Sequence, residues 1–134
     1  MAIRENELIY IPFRNFLRDK GWLVTKTHGN AFQKAFPDSR ASHHAYGGRW
    51  VEYKVIDRTP KGTAQVHLTT AQKNIWPKWH AYGEKIWVVC AEDLRGPQGI
   101  PIMEKWYKQI IYGEPNVHFF FHHSTIQYGI HPSI

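Results

Sequence analysis

The chain of 134 residues fits one compact domain, and its 43% hydrophobic and 15% aromatic residues exclude a disordered protein. No apolar run reaches the length of a membrane span, the start MAIRENELIY lacks a signal-peptide pattern, and the one cysteine, Cys90, excludes a disulfide framework. The net charge is +6, and residues 1–65 carry most of it, with 11 Lys and Arg against 6 Asp and Glu. We therefore expect a single cytoplasmic domain over residues 1–134 with a polyanionic partner.

The first half of the chain predicts a helix followed by three strands. Apolar side chains recur at helical spacing through residues 5–20, up to Gly21, and Pro12 either kinks this helix or begins it afresh. The three strands are predicted at residues 22–27, about 38–44 and about 49–56. The segment HGNAFQKAF separates the first two as a loop, and the turn AYGG joins the second to the third.

The second half predicts two more helices and two more strands. LTTAQKNIWPKWHAYG (68–83) is typical of a helix with Thr69 or Thr70 as its N-cap, interrupted by Pro77. A buried strand, a second helix and a last strand are predicted at residues 85–91, 101–113 and 117–121. These elements predict a mixed α/β domain on one sheet, with its core over about 5–91 and a helix-strand extension over about 92–134.

The strand RWVEYKVI places a carboxylate and an ammonium group on the same face of the sheet. Side chains alternate between the two faces of a strand, so Glu52 and Lys54 project together while Tyr53 projects to the other side. One interpretation is an ordinary ion pair on a solvated face, which contributes little. The alternative is a buried functional pair, because burying either charge alone costs several kcal/mol.

The preceding strand begins with Pro37-Asp38, and a tight turn brings that strand next to the one with Glu52. Two carboxylates held close together either share a proton or bind a cation. Oxygen ligands with open water positions favour Mg²⁺ or Mn²⁺. Lys54 beside such a metal would orient or help deprotonate a water molecule that attacks a phosphate.

A glutamine follows on the helix that comes after these strands. Gln72 shares the apolar stripe of Ile75, Trp76 and Trp79, where a buried amide needs a hydrogen-bond partner. Gln72 is either an N-terminal cap residue bonded to the backbone or a member of a functional site. The tryptophans of this stripe, together with Trp50 and Trp87, are predicted to lie in the core.

The residues in GWLVTKTHGN…FPD…RWVEYK…TTAQ…G…IWVV resemble the PD-(D/E)XK nuclease superfamily. The likeness is to small stand-alone phage or prophage nucleases, VRR-NUC domains and archaeal-type Holliday junction resolvases. It covers about residues 5–91, and nothing carries over to residues 92–134. The resemblance implies a restriction-endonuclease-like core, in which a helix, a three-stranded antiparallel meander, a helix and a further strand follow one another.

The resemblance also implies the roles of individual residues. Asp38, Glu52 and the backbone carbonyl of Tyr53 would bind Mg²⁺ or Mn²⁺, and Lys54 would position or activate the attacking water. In many members a glutamate of the first helix completes the site, directly or through water. Here Glu7 stands at that position with Glu5 as the fallback, although an acidic residue at a helix start is also common for electrostatic reasons alone. Gln72 would lie beside the active site and the nucleic-acid backbone.

The implied activity is that of a metal-dependent DNA endonuclease. Such an enzyme is expected to hydrolyse phosphodiester bonds, to act on junction, flap or nicked DNA, and to work as a homodimer. The side chains expected to contact nucleic acid are Lys26, His28, Lys34, Arg40, Arg49 and Gln72. Two alternatives stay open, namely an inactive nucleic-acid-binding module of the same fold and a nuclease that acts on RNA.

Overall fold

The computed structural model describes residues 3–27, 35–58, 60–61, 63–122 and 125–126. The helical elements are α1 (Ile3–Glu5), a π-helical segment (Asn6–Tyr10), α2 (Ile11–Asp19), α3 (Thr70–Ala81), α4 (Gly99–Tyr112) and a 3-10 segment (Val117–Phe121). The strands are β1 (Leu23–Lys26), β2 (Ser39–His43), β3 (Gly47–Val55), β4 (Asp57–Arg58), β5 (Ala64–Gln65), β6 (Ile86–Ala91) and β7 (Thr125–Ile126). No helix in these ranges is long and apolar enough to cross a membrane.

The main sheet has four strands in the order β1-β2-β3-β6. β1 and β2 pair antiparallel, as do β2 and β3, whereas β3 and β6 pair parallel after the crossover through α3. The predicted mixed α/β class and the sequence of helix, three strands, helix and strand are confirmed. β4, β5 and β7 form a second, smaller sheet that the sequence pattern did not predict, because its strands are only two residues long.

Helices cover both faces of the main sheet. On one face, Phe13 and Leu17 of α2 and Ile9 of the π-helical segment are fully buried, and the Tyr10 ring meets the Tyr53 ring of β3 at 5.1 Å. α4 contacts α2 on this face. α3 covers the opposite face, where it contributes the buried Trp76. The two faces therefore hold different residues of β3, as the two-residue period of a strand requires.

The two prolines flagged in the sequence have different outcomes. Pro12 lies in the first turn of α2, which continues from the π-helical segment through helical backbone angles at Tyr10 and Ile11, so the chain does not begin a new helix there. Proline has no N–H for the carbonyl four residues before it, and that carbonyl, of Leu8, accepts from Leu94 N at 2.8 Å. Pro77 lies inside α3, which continues from Thr70 to Ala81, so the expected interruption is wrong.

The predicted strand at residues 117–121 is wrong, because Val117–Phe121 forms a 3-10 helix. Asn116 explains the difference: its Oδ1 accepts from Val88 N at 2.7 Å, and its Nδ2 donates to Val88 O at 3.0 Å. These bonds place an amide side chain where a further strand would pair with β6. The 3-10 turn then buries Val117 and Phe120, which are three residues apart.

Candidate metal and nucleic-acid site

The carboxylates of Asp38 and Glu52 lie opposite each other where β2 begins. The antiparallel register pairs Ser39 with Val51, so Asp38 stands opposite Glu52, one position beyond the last ladder pair. Asp38 N donates to Glu52 Oε1 at 3.0 Å, and Tyr53 N donates to Asp38 Oδ2 at 3.0 Å. Each carboxylate is thus held by a backbone N–H of the other strand. The structure brings together the two acidic residues that the sequence separates by fourteen positions.

Glu52 and Lys54 are buried, so the interpretation as a solvated surface pair is wrong. Only 3% of Glu52 and 7% of Lys54 are exposed. Lys54 Nζ lies 3.3 Å from Glu52 Oε2. Burial of one charged group is costly unless it is paired, and here each group is the partner of the other.

Gln72 both caps α3 and contacts the Glu52 carboxylate. It forms a capping box with Thr69: Gln72 N donates to Thr69 Oγ1 at 3.2 Å, and Thr69 N donates to Gln72 Oε1 at 3.0 Å. The same side chain donates from Nε2 to Glu52 Oε2 at 2.9 Å. The cap therefore fixes the amide so that its N–H₂ group points at the carboxylate.

The cluster holds two carboxylates, of Asp38 and Glu52, but only one ammonium group, of Lys54. Burial, followed by the nearby Asp38 carboxylate, raises the pKa of Glu52 to about 8. Burial also raises the pKa of Asp38, although the hydrogen bond from Tyr53 N opposes this rise. A divalent cation between the two carboxylates would remove their repulsion, and carboxylate oxygens are ligands that Mg²⁺ and Mn²⁺ prefer.

Tyr53 offers its backbone carbonyl to the same site. In an antiparallel ladder the N–H and C=O of one residue face the same neighbouring strand. Because Tyr53 N is bonded to Asp38, the Tyr53 carbonyl also faces the Asp38 side. Continued register places Pro37 opposite Tyr53, and proline has no N–H to donate to that carbonyl. The Tyr53 side chain lies on the other face, where its hydroxyl pairs with Ser39 Oγ at 2.9 Å.

Glu7 and Glu5 do not join the two carboxylates. Glu7 is exposed in the π-helical segment, and Glu5 is half-buried at the end of α1. Within the described ranges, no three His, Cys, Asp or Glu side chains form a group that could hold a metal ion. The expected completion of the site by a glutamate of the first helix is therefore not seen in this arrangement, in which the helix packs Tyr10 against Tyr53, on the face of β3 opposite Glu52.

The basic residues that are expected to contact nucleic acid differ in their surroundings. Lys26 Nζ donates to Asn6 Oδ1 at 3.1 Å, and the Arg40 guanidinium lies 4.8 Å from the Trp50 ring. Arg49 donates to the carbonyls of Ile110 and Tyr46, each at 2.8 Å. These contacts join β3 to α4 and to the turn between β2 and β3. His28 and Lys34 lie outside the described residues.

A cavity of about 400 Å³ lies next to the segment that leads into Asp38. Four aromatic side chains line it, Phe36, Trp50, Trp79 and Tyr82, together with Pro37, the residue before Asp38. Trp50 and Trp79 were predicted to lie in the core, but both are only half-buried. Trp76 and Trp87 are buried as predicted. In the sequence, WHAYG is a segment whose aromatic residues could stack a base, and its Trp79 and Tyr82, three residues apart at the end of α3, both line this cavity.

Comparison of the chain with protein-family models, with curated proteins and with solved structures finds no match. The resemblance to PD-(D/E)XK nucleases therefore stays a prediction, and the function has to be argued from the site itself.

Proposed function

We propose that this protein is a metal-dependent DNA endonuclease that hydrolyses phosphodiester bonds and has a restriction-endonuclease-like core. The observation that carries the proposal is the cluster of the half-buried Asp38 with the buried Glu52, Lys54 and Gln72 on adjoining elements. Buried ionisable groups that shift one another's pKa values are typical of active sites. A structural ion pair alone would not need a second carboxylate, whose charge raises the pKa of Glu52 further.

The donor set fits a hard divalent cation. Asp38, Glu52 and the Tyr53 carbonyl would bind Mg²⁺ or Mn²⁺ through oxygen atoms. Such an ion supplies Lewis-acid stabilisation of the negative charge that develops on phosphate oxygens. Three protein oxygens would leave positions for water and for a phosphate oxygen of the substrate, so a glutamate of the first helix is not required.

Lys54 would position the attacking water, and Gln72 would position the Glu52 carboxylate. Lys54 Nζ, 3.3 Å from Glu52 Oε2, would orient the attacking water by hydrogen bonding and stabilise its developing negative charge. Gln72 would hold Glu52 in one rotamer, because its amide is itself fixed by the cap of α3. Water then adds to phosphorus and the bond to the 3′ oxygen breaks, which leaves 3′-hydroxyl and 5′-phosphate ends.

The charge of the chain supports a nucleic-acid substrate. The net charge is +6, and neutralisation of carboxylates by a bound metal makes the remaining surface more basic. We propose that two copies act together on the two strands of branched, flapped or nicked DNA. Light scattering of the protein with and without DNA tests the dimer.

The test is cleavage of labelled plasmid, single-stranded DNA and four-way-junction DNA in Mg²⁺, Mn²⁺ or EDTA. Wild type is compared with Glu52→Gln and Lys54→Met, which keep the shape of the buried side chains. Glu114→Gln and Lys108→Met are matched controls, since both of these residues are exposed on or just after α4. We expect metal-dependent cleavage that falls at least 100-fold in both site variants and stays unchanged in both controls.

Cleavage that survives both site variants would overturn the assignment of the site. DNA binding that ignores Mg²⁺, with no cleavage of any substrate, would instead identify an inactive nucleic-acid-binding module. A labelled RNA of the same sequence belongs in the same assay, because faster cleavage of RNA would correct the substrate class.

A further inference from the structure

The cavity next to the carboxylates has the composition of a base-binding pocket. The Phe36 ring packs edge to face against Trp79 at 5.4 Å and lies tilted against Trp50 at 6.2 Å. Its volume of about 400 Å³ falls in the range of small-molecule sites. Every nucleobase has a planar face that stacks on aromatic side chains, so such a pocket accepts bases of any sequence.

The charged groups around the cavity are of the kinds that bind the phosphate and the polar edge of a base. Lys78 lines it, and the Arg40 guanidinium lies over the Trp50 ring at 4.8 Å, so positive charge is available for phosphate. Glu84 also lines the cavity and accepts from Trp50 Nε1 at 3.2 Å. A carboxylate at this position can accept hydrogen bonds from exocyclic amino groups of bases.

The position of the cavity links it to the cleaved bond. Trp50 and Glu52 project from the same face of β3 and are two residues apart, about 7 Å along the strand. Pro37, which lines the cavity, directly precedes Asp38. A base held on Trp50 and Trp79 therefore belongs to a nucleotide at, or next to, the bond that the carboxylates would cleave.

We infer that this cavity, lined by Phe36, Trp50, Trp79 and Tyr82, binds one unpaired base beside the scissile phosphate of the substrate. The inference rests on the proposed nuclease function and deepens it. A base within a duplex is stacked and paired, so it reaches the cavity only at a single strand, a flap, a nick or a flipped position. The preferred substrate is thus DNA with an unpaired nucleotide next to the cleavage site.

The first test is binding in EDTA, where no cleavage occurs, by fluorescence anisotropy of labelled single-stranded and duplex DNA. Tyr82 is 87% exposed, so Tyr82→Ala removes a wall of the cavity without disturbing the core. Tyr112→Ala is the matched control, since Tyr112 is 78% exposed and does not line the cavity. We expect the Kd for the single strand to rise about tenfold in Tyr82→Ala and in Trp79→Ala, with the duplex Kd and the control unchanged.

The second test is cleavage of single strands that carry one abasic site at each position around the cut bond. In wild type, an abasic site at one position flanking the cut should lower the cleavage rate about tenfold. In Tyr82→Ala the same abasic site should have no further effect, because the contact is already lost.

The two proposals fail in different ways. If the cavity variants bind single strands as tightly as wild type and abasic sites have no effect, the inference is wrong even when Glu52-dependent cleavage persists. If no DNA is cleaved in any metal but the EDTA binding depends on Tyr82 and Trp79, the nuclease proposal fails and the base-binding pocket stands.

Discussion

The side-chain amide of Gln72 connects the start of α3 to the Glu52 carboxylate of β3, with Nε2 and Oε2 2.9 Å apart. Its other end accepts from Thr69 N at 3.0 Å, so one residue both caps a helix and contacts the proposed site. The position of the carboxylate thus depends on the position of the helix start. Variants of Thr69 and Gln72 separate the two roles.

Gln72→Ala should lower both the stability and the activity, whereas Thr69→Ala should lower mainly the stability. Loss of the cap costs about 1 kcal/mol in either variant, and Gln72→Ala also leaves Glu52 without its amide donor. We expect cleavage to fall about tenfold or more in Gln72→Ala and less than threefold in Thr69→Ala. Urea unfolding and single-turnover cleavage measure the two effects. Equal losses of activity would show that Gln72 acts only through the helix.

Glu52→Gln should abolish metal-dependent cleavage together with the stabilisation of the protein by Mg²⁺. The neutral amide removes a metal ligand and leaves the buried Lys54 ammonium without its carboxylate partner, so the metal-free variant should also be less stable than wild type. Thermal unfolding in EDTA and in Mg²⁺ measures this. Mg²⁺ should raise the Tm of wild type but not that of Glu52→Gln. A Tm of Glu52→Gln that rises in Mg²⁺ as much as that of wild type would contradict the assignment of Glu52 as a metal ligand.

The stability of the metal-free protein should fall as the pH rises from about 4.5 to about 8. The pKa of Glu52 rises from 4.5 in a free side chain to about 8 in the folded protein, so in this window the folded state holds a proton that the unfolded chain has released. Stability falls with pH wherever the folded state binds more protons, and it levels off above pH 8. The raised pKa of Asp38 acts in the same direction.

Urea unfolding in EDTA between pH 4 and pH 9 measures this dependence. In Glu52→Gln the slope should be much smaller, and a wild-type slope in that variant would contradict the prediction. Mg²⁺ should stabilise wild type more at pH 8 than at pH 6, because a ligand must lose its proton to bind a metal.

Tyr53→Phe should lower the stability without affecting cleavage. The Tyr53 hydroxyl is buried on the face opposite the carboxylates, where it bonds Ser39 Oγ at 2.9 Å. Only the Tyr53 backbone takes part in the site. We expect a loss of about 1 kcal/mol in Tyr53→Phe and in Ser39→Ala, with coupling between them in a double-mutant cycle of urea unfolding. A tenfold loss of cleavage in Tyr53→Phe would contradict the separation of the two faces.

Gly48→Ala should weaken DNA binding by displacing Arg40. A Cβ atom at Gly48 would lie 2.3 Å from Arg40 Nη2, so the guanidinium has to leave its place over Trp50. We expect a few-fold rise in Kd, measured by anisotropy at several salt concentrations, and a similar rise in Arg40→Ala. Gly48→Ala should add nothing in the Arg40→Ala background, since its effect depends on that side chain. A further loss in the double variant would point to a change in the β2–β3 turn instead.

The sequence by itself determined the features that depend on local periodicity. The two-residue period of β3 places Glu52 and Lys54 on one face, and the short turn after β2 brings Asp38 within one residue of the ladder. The apolar period of residues 5–20 and the capping pattern at Thr69 indicated helices that are present. Each of these depends on neighbours within one element or one hairpin, where chain geometry leaves few alternatives.

Only the tertiary structure decided which distant elements meet. The cover of α3 over β3 makes Glu52 and Lys54 a buried pair, and it places Trp79 beside Trp50 to form the cavity. The bonds of Asn116 to Val88 turned an expected strand into a 3-10 helix. Such contacts join residues tens of positions apart, and local spacing carries no information on them. They are set by how whole faces pack and by which buried polar groups find partners.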